Sequence, residues 1–332
     1  MRRRDFLGAL PVLGLPAPAF AQKVAYPQVV AGRKLVFPRD HGAHPEYRVE
    51  WWYVTGWLQP ESGPLGFQIT FFRARPGESS DNPSRFNPRQ ILFAHAALSD
   101  PKRGRLLHDQ RAARAGLSLA HAELERTSVW IDDWRLDLDG RAYRAKIAAR
   151  EFTFELSLLA PHIVLQGDAG FSRKGHRPGE ASYYYSRPQI TVIGKLDGKD
   201  VEGTAWLDHE WSSAYLAPEA AGWDWCGINF ADERSRMAFR MRDRAGNTHY
   251  APPGVSFKPL RTWKSPRTGV EYPVEMQVND LVLKPLMDDQ ELDSRASTGT
   301  IYWEGAVRAF SGSTEVGKGY LELTGYGKPM KL

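Results

Sequence analysis

LGFQITF, residues 65–71, alternates apolar residues with small or polar ones. Such alternation is typical of a β-strand that buries one face. The preceding segment, Val49 to Leu58, is rich in aromatic and β-branched residues, and the turn-forming cluster PESGP at residues 60–64 separates the two segments. The two strand patterns and the turn between them therefore predict a β-hairpin.

Short strand-like segments recur along most of the chain, separated by turn signals such as Asp139-Gly140 and Asp197-Gly198. One region, Leu106 to Glu125, is ambiguous, because it is rich in Ala and Arg but is interrupted by Gly116. We interpret it as a long loop that holds at most one helical turn. Many short strands and few helices predict an all-β protein built of sandwiches or barrels.

A weak internal repeat suggests two copies of one unit. WYVTG at residues 52–56 matches WDWCG at residues 223–227, and each is followed by a turn and an alternating strand that ends in Arg. Two units of about 150 residues each suit the size at which single cores stop growing. Chance similarity between Trp-rich strands is the alternative. With a boundary in the loop Leu216 to Gly222, we predict domains at residues 22–215 and 216–332.

The first 21 residues have the features of a targeting segment. RRDFL at residues 3–7 fits the twin-arginine pattern, an apolar run follows, and Ala19-Phe20-Ala21 supplies a cleavage site, so the mature chain is expected to begin at Gln22. We therefore expect a periplasmic or secreted protein. No stretch is long and apolar enough to cross a bilayer, which predicts a soluble protein that does not span the membrane.

Composition excludes some classes of partner. The formal net charge is +5, and the chain has no dense basic run, so nucleic acid is not an expected partner. Cys226 is the only cysteine, which rules out an intramolecular disulfide and predicts a small buried apolar residue. Aromatic residues make up 12% of the chain and include 11 Trp, which indicates either a wide apolar cavity or extended aromatic packing.

DHEW at residues 208–211 combines two acids, a histidine and a tryptophan, and is the main candidate for a catalytic site. It ends a strand-like segment, so Asp208 and Glu210 should share a face with Trp206, while His209 points the other way with Trp211. Two carboxyl groups beside an indole in an apolar cavity would have raised and divergent pKa values, and one could stay protonated near neutral pH. The alternative is a solvated strand end.

Two segments carry a family resemblance: DHGAH at residues 40–44 followed by EWWYVTGWL at 50–58, and GTAWLDHEWS at 203–212. Together they resemble the family that joins AttH-like secreted proteins with carotenoid 1,2-hydratases (hydroxyneurosporene synthases). The resemblance implies two tandem lipocalin-like β-barrels, an apolar cavity, and, in the hydratase branch, addition of water to a carbon–carbon double bond without a cofactor. Asp208 matches the carboxylate proposed as proton donor in that branch.

The export signal and the Asp40-His41-x-x-His44 pattern favour the secreted branch, which carries the label "predicted secreted hydrolase" and whose genes often lie near ABC-type export components. The resemblance therefore implies a hydratase-like lyase or a secreted hydrolase that takes an apolar lipid or isoprenoid. In the hydratase mechanism Asp208 would donate the proton, and Glu210 or His209 would take a proton from the attacking water. The residues expected to contact the substrate are Glu50, Trp51, Trp52, Tyr184, Trp206 and Trp211.

Three alternatives compete with this reading. A serine hydrolase would need a nucleophile elbow, but no Gly-x-Ser-x-Gly is present, and Ser212 and Ser213 only adjoin His209 in sequence. The residues that could bind a divalent metal are His41, His44, Asp208, His209 and Glu210. We nevertheless expect no metal and no cofactor. The last alternative is a non-catalytic lipid carrier or an accessory subunit of an ABC-type export system. A closed aromatic pocket without a basic partner for Asp208 would favour catalysis.

Overall fold

The computed structural model describes residues 24–77 and 87–330, and across these ranges the protein is all-β. The single helical element in them is a 3-10 turn at Arg39–His41. None of the described segments forms a helix that is long and apolar enough to cross a membrane. The predicted signal peptide, residues 1–21, lies outside the described residues.

The first sheet has 13 antiparallel strands and curls into a barrel-like unit. Along its main path the strand order is β4-β3-β2-β1-β13-β12-β9-β8-β7-β6-β5, with β10 and β11 paired to β12. Its strands are β1 Val49–Leu58, β2 Leu65–Ala74, β3 Ile91–Asp100, β4 Arg105–Arg114, β5 Ala120–Ala122, β6 Ser128–Ile131, β7 Trp134–Asp139, β8 Ala142–Ala148, β9 Thr153–Leu159, β10 Val164–Leu165, β11 Phe171–Arg173, β12 Ala181–Leu196 and β13 Lys199–Ser212.

The second sheet has nine antiparallel strands in the order β16-β15-β14-β22-β21-β19-β18-β17, with β20 paired to β21. It forms the second barrel-like unit, so the predicted architecture of two tandem lipocalin-like barrels is confirmed. Its strands are β14 Ala220–Phe230, β15 Ser235–Asp243, β16 Thr248–Tyr250, β17 Phe257–Lys264, β18 Glu271–Val278, β19 Leu281–Pro285, β20 Glu291–Ser294, β21 Thr300–Ser311 and β22 Thr314–Leu323.

The weak sequence repeat corresponds to equivalent positions in the two sheets. The matching segments lie on β1 and β14, and each of these strands pairs with the strand that follows it and with the last strand of its own sheet. Each also carries a buried acid that binds arginine on the following strand. Glu50 binds Arg73 at 2.8 Å, and Asp224 binds Arg240 at 2.7 Å and Arg242 at 2.8 Å.

Strand alternation separates two packed regions on either side of β1 and β13. One face, which includes Trp52 and Leu207, joins the core of the first barrel. The other face, which includes Tyr53 and Trp206, packs against residues of β14, β15, β21 and β22 in a cluster between the barrels. Hydrogen bonds also cross between the sheets: the Trp57 indole, for example, donates to the carbonyl of Gly319 at 3.0 Å. The outward faces of β1 and of the second half of β13 are therefore largely buried.

Two details of the predicted elements were wrong. The region 106–125 is mostly strand, because the edge of β3 pairs with Arg105–Arg114 over its full length and outweighs the helical preference of Ala and Arg. The sequence pattern also predicts two separate strands at 182–185 and 189–196, on either side of Pro188, but both segments belong to the single strand β12. A bulge between Arg187 and Ile190, with Gln189 at φ 53°, accommodates Pro188 inside it.

Candidate functional site

A cavity of about 280 Å³ lies between the two barrel-like units. One wall comes from the outward faces of β1 and β13, and the opposite wall comes from β14, β21 and β22. Its aromatic lining includes Trp51, Tyr53, Tyr184, Tyr215, Trp223 and Trp225. The volume is close to the lower end of ordinary small-molecule sites, which is about 300 Å³. The cavity can therefore enclose a small, mainly apolar molecule.

Asp208 lines this cavity and is 3% exposed. Its carboxyl accepts hydrogen bonds from three neutral donors: the Ser186 hydroxyl at 2.5 Å, the Tyr184 hydroxyl at 2.7 Å and the Trp206 indole at 2.7 Å. Burial raises the pKa of Asp208 to about 7, although these three bonds act in the opposite direction. Across the described ranges no Arg, Lys or His forms an ion pair with it. Asp208 is therefore an acid that can hold a proton near neutral pH.

Glu210 faces the same side of β13 but has a cationic partner. Lys174 Nζ lies 2.7 Å from its carboxyl, and the Ser182 hydroxyl donates to the same oxygen. Burial raises the pKa of Glu210 against the effect of Lys174, and burial also lowers the pKa of Lys174. Because its oxygen is engaged by these two groups, Glu210 is less available for proton transfer than Asp208.

The aromatic rings around the cavity pack edge to face. Trp51 and Tyr215 meet with ring centroids 4.7 Å apart, Tyr215 and Trp223 lie 5.3 Å apart, and Tyr53 and Trp225 lie 5.4 Å apart. The Trp225 indole also donates to the Tyr184 hydroxyl at 3.0 Å, which links the second sheet to the acid on the first. Edge-to-face packing fixes the orientation of these rings. The cavity wall is therefore preformed.

Two further acids line the cavity and were missed by the sequence reasoning. Glu304 on β21 and Glu322 on β22 stand opposite each other in the strand register. The Trp223 indole donates to Glu322 at 2.9 Å, whereas neither oxygen of Glu304 has a hydrogen-bond partner in the described part of the chain. Burial raises the pKa of both carboxyls, and nearby charges add to the effect: Glu322 acts on Glu304, and Asp208 and Glu210 act on Glu322. In the sequence, Glu304 and Glu322 are each a single acid among the mostly apolar residues that surround them on their strands, and this pattern could have identified them.

His209 is not part of this site, because strand alternation turns it into the first barrel, as predicted. There its Nε2 lies 2.9 Å from Glu50 Oε1, and its Nδ1 lies 3.1 Å from the Tyr185 hydroxyl. His44 Nδ1 also approaches Glu50 Oε1, at 2.7 Å, while Arg73 donates to the other oxygen at 2.8 Å. The structure therefore does not bring His209 to the cavity, and its expected part in proton transfer beside Asp208 stays a prediction that this geometry does not favour.

The predicted substrate contacts divide in the same way. Trp51 and Tyr184 line the cavity, and Trp206 supports it through its bond to Asp208. Trp52 and Trp211 lie in the first barrel, where Trp52 stacks on His209 at 4.7 Å and Trp211 stacks on His44 at 3.7 Å. The Glu50 carboxyl is held by the ion pairs described above. Residues on one strand with an odd spacing cannot share a face, which explains this separation.

The candidate metal ligands are also divided. His44, Glu50 and His209 each offer an atom within 4.8 Å of the others. Asp208 and Glu210 face the opposite side of β13, and His41 instead bonds the Tyr185 hydroxyl at 2.8 Å and Arg187 at 3.1 Å. Burial would raise the pKa of Glu50, but His44, Arg73 and His209 hold it well below its usual range. The three residues thus form a hydrogen-bonded network with an arginine inside the barrel.

A serine triad is not formed by the sequence candidates. The Ser212 hydroxyl donates to the carbonyl of Ala181 at 2.6 Å, and the Ser213 hydroxyl is buried without a partner among the residues that the structure describes. His209 uses both ring nitrogens for Tyr185 and Glu50. The geometry that activates a serine nucleophile is therefore missing at these residues.

Comparison with known proteins agrees with this architecture. A crystal structure of a candidate AttH from Nitrosomonas europaea shares 48% identity and superposes with a TM-score of 0.84, covering 90% of this chain and 99% of that one. Kievitone hydratase from Nectria haematococca shares 15% identity with a TM-score of 0.61, covering 93% and 98% of the two chains, which shows a common fold. No curated protein gives a significant sequence match.

The profile of the AttH-like family matches residues 28–326, which is nearly all of the described sequence. The match includes the segments 40–58 and 203–212, on which the resemblance was first based, and it extends through both sheets. The chain belongs to the AttH-like family.

Proposed function

We propose that the protein adds water to a carbon–carbon double bond of a small, mainly apolar molecule, with Asp208 as the proton donor and without a cofactor. The observation that carries the proposal is the environment of Asp208. The acid is buried at the wall of an aromatic cavity, its three hydrogen-bond donors are neutral, and its pKa of about 7 leaves a large fraction protonated near neutral pH. Proton transfer to an alkene requires the carboxyl to hold its proton, and the raised pKa allows this near neutral pH.

The reaction would proceed in two steps. The Asp208 proton forms a C–H bond as the π bond breaks, leaving a carbocation that faces the rings of Trp51 and Trp225. A water molecule then forms the C–O bond and loses a proton to the Asp208 carboxylate, which restores the acid. The hydrogen bonds from Ser186 and Tyr184 stabilise this carboxylate while it exists. Atoms and charge balance without any further reagent.

The distant structural relative is a hydratase by name, and its fold is shared. At 15% identity the likeness does not transfer an activity. It adds to the proposal only that this double-barrel architecture can hold a site for water addition.

The experiment uses the acyclic isoprenoid alcohols geraniol and farnesol in ¹⁸O-labelled water, with products followed by mass spectrometry. We expect products that carry the mass of one labelled water with the wild type, and a loss of at least a hundredfold in rate with Asp208→Asn. The matched control is Asp200→Asn, because Asp200 is 91% exposed and lies on the same strand. Turnover by Asp208→Asn at the wild-type rate would remove Asp208 from the mechanism.

A second candidate is a non-catalytic carrier. The observation that favours it is that all three hydrogen bonds to Asp208 stabilise the ionised form, as in a structural acid. The carrier predicts that geraniol or farnesol binds but is recovered unchanged, and that Asp208→Asn alters affinity only. The labelled-water experiment separates the two candidates, since only the hydratase incorporates ¹⁸O.

Export is part of the proposal and rests on the twin-arginine pattern at residues 3–7. We expect the folded mature protein in the periplasm or outside the cell. Replacing Arg3 and Arg4 by Lys should retain the protein in the cytoplasm, as judged by cell fractionation. Unchanged distribution of the double variant would contradict this route.

A further inference from the structure

We propose that the cavity between the sheets binds a ligand that carries one organic ammonium group, held by Glu304 and Glu322 opposite Asp208. The inference concerns binding and goes beyond the water-addition chemistry, so it does not depend on whether Asp208 catalyses a reaction. The aromatic walls alone do not specify whether the ligand is charged, and this inference adds that it carries a positive charge.

Glu304 is the first observation. It is 2% exposed and lines the cavity, and neither carboxyl oxygen makes a well-formed hydrogen bond in residues 24–77 and 87–330. The hydroxyls of Tyr53 and Tyr302 are close enough to lower its pKa, but burial and the charge of Glu322 raise that pKa further. The hydroxyl of Tyr53, on the opposite wall, is also buried without a partner there. Buried polar atoms are nearly always satisfied, and unsatisfied ones mark places where a ligand or water completes the structure. These atoms converge on the same enclosed space.

Charge balance is the second observation. Three carboxyls line the cavity without a cationic partner in the described part of the chain: Asp208, Glu304 and Glu322. Two other acids adjoin the cavity and are neutralised: Glu210 by Lys174, and Glu50, whose carboxyl faces the interior of the first barrel, by Arg73. Burial of unpaired charge is costly, so the group either takes up protons or takes up a cation. A cationic ligand would relieve the repulsion between Glu304 and Glu322.

Lys174 is the third observation, because it shows how an ammonium is already accommodated beside this cavity. Its Nζ lies over the rings of Phe239 at 4.0 Å, Tyr184 at 4.8 Å and Tyr215 at 5.1 Å, with Glu210 as counter-ion. The adjoining space offers the same chemistry, with aromatic rings and carboxyls. Among the described residues its basic side chains are Arg73, which is paired with Glu50, and His95, which bonds Tyr302 and Ser297, and neither forms an ion pair with Asp208, Glu304 or Glu322. A ligand ammonium would occupy an environment of the same kind.

The rings that line the cavity suit such a ligand better than a neutral one. Trp and Tyr faces attract ammonium groups by their quadrupoles, most strongly where water is excluded. Trp51, Trp223 and Trp225 provide indoles from both sheets, while Glu304 and Glu322 provide the charge. Ammonium binding favours the ionised carboxyls, so affinity should rise with pH, whereas binding of a neutral molecule should change little.

The test compares choline with 3,3-dimethylbutan-1-ol, its neutral counterpart of the same shape, by calorimetry and tryptophan fluorescence at pH 8 and pH 5. We expect choline to bind at least tenfold more tightly than the alcohol at pH 8, and its advantage to shrink at pH 5. Glu304→Gln and Glu322→Gln should each weaken choline binding at least tenfold and leave alcohol binding unchanged. Glu315→Gln is the matched control, because Glu315 pairs with Arg308 at the surface of β22.

Equal affinity for the two probes, or no binding of choline by a wild-type protein of native fold, would overturn the inference. Thermal unfolding of each variant shows whether it is folded, and two independent Gln variants prevent one misfolded protein from deciding the result. The binding assay and the labelled-water assay use different probes. Choline binding without geraniol hydration would therefore reject only the proposed hydration chemistry. Geraniol hydration without choline binding would reject only the requirement for a charged ligand.

Discussion

Glu304 and Glu322 are directly opposed on neighbouring antiparallel strands at the wall of the cavity, where Glu304 is buried and Glu322 is half-buried. Like charges opposite each other in a sheet destabilise it. Other buried acids of the two barrels have a basic side chain as neighbour instead of a second acid. In the first barrel Glu50 pairs with Arg73, and in the second barrel Asp224 pairs with Arg240 and Arg242. Glu304 and Glu322 therefore differ, together with Asp208, from the buried acids Glu50, Glu210 and Asp224, which are each paired with a basic side chain.

Glu304→Gln should stabilise the ligand-free protein at alkaline pH. Because the pKa of Glu304 is raised in the folded state, folding is disfavoured once pH exceeds the unfolded pKa, and this penalty grows up to the folded pKa. We expect the variant to gain about 1–3 kcal/mol in unfolding free energy at pH 8 and nothing near pH 4, as measured by urea denaturation. A loss of stability at pH 8 would show that the carboxyl has a partner.

The rate of hydration should depend on pH through Asp208. The protonated acid is the active form, so with a pKa of about 7 the rate should be level in mildly acidic solution and fall about tenfold per unit above pH 7. Tyr184→Phe removes a hydrogen bond that favours the ionised form, and it should therefore shift the alkaline limb to higher pH. Superimposable profiles for the two proteins would exclude Asp208 as the titrating group.

Lys174→Met should destabilise the protein by about 3–5 kcal/mol at pH 8, because it leaves Glu210 buried without its counter-ion. The double variant Lys174→Met/Glu210→Gln should recover more than half of that loss, since no unpaired charge remains. Lys195→Met is the control: its pair with Asp200 is exposed and should be worth less than about 1 kcal/mol. Equal losses in the single and double variants would mean that Lys174 acts through its ring contacts instead.

The sequence was sufficient to predict the all-β architecture and the orientation of the acids on β13. Alternation along a strand is a local property, so the common face of Asp208, Glu210 and Trp206 follows from spacing alone. The same rule places His209 on the opposite face of β13 from Asp208, which does not favour a part for it in proton transfer at the cavity. The edge strand β4 was missed because its pairing with β3 is set by the sheet and not by its own composition.

The family resemblance implied an apolar cavity, but most of its lining could not be predicted, because the residues meet only when the two sheets pack. Glu304 is 96 residues from Asp208 in the chain, and Lys174 reaches Glu210 from the segment before β12. Each appears in the sequence as an ordinary polar residue within or beside a strand. These side chains become buried only when the two sheets pack together, through long-range contacts such as that between Tyr184 and Trp225. The raised or lowered pKa values follow from this burial.

The His44–Glu50–His209 network should be stable without a metal. The Glu50 carboxyl is already hydrogen-bonded to Arg73, His44 and His209. A metal ion placed among these residues would lie close to the guanidinium of Arg73 and be repelled by its charge. We expect elemental analysis of the purified protein to give far less than one equivalent of zinc, and EDTA to leave the melting temperature unchanged. Glu50→Gln and Arg73→Met should each cost about 3–5 kcal/mol, because they break the same buried pair. Stoichiometric zinc, or a melting temperature that falls with EDTA while Arg73→Met is tolerated, would instead identify the network as a metal site.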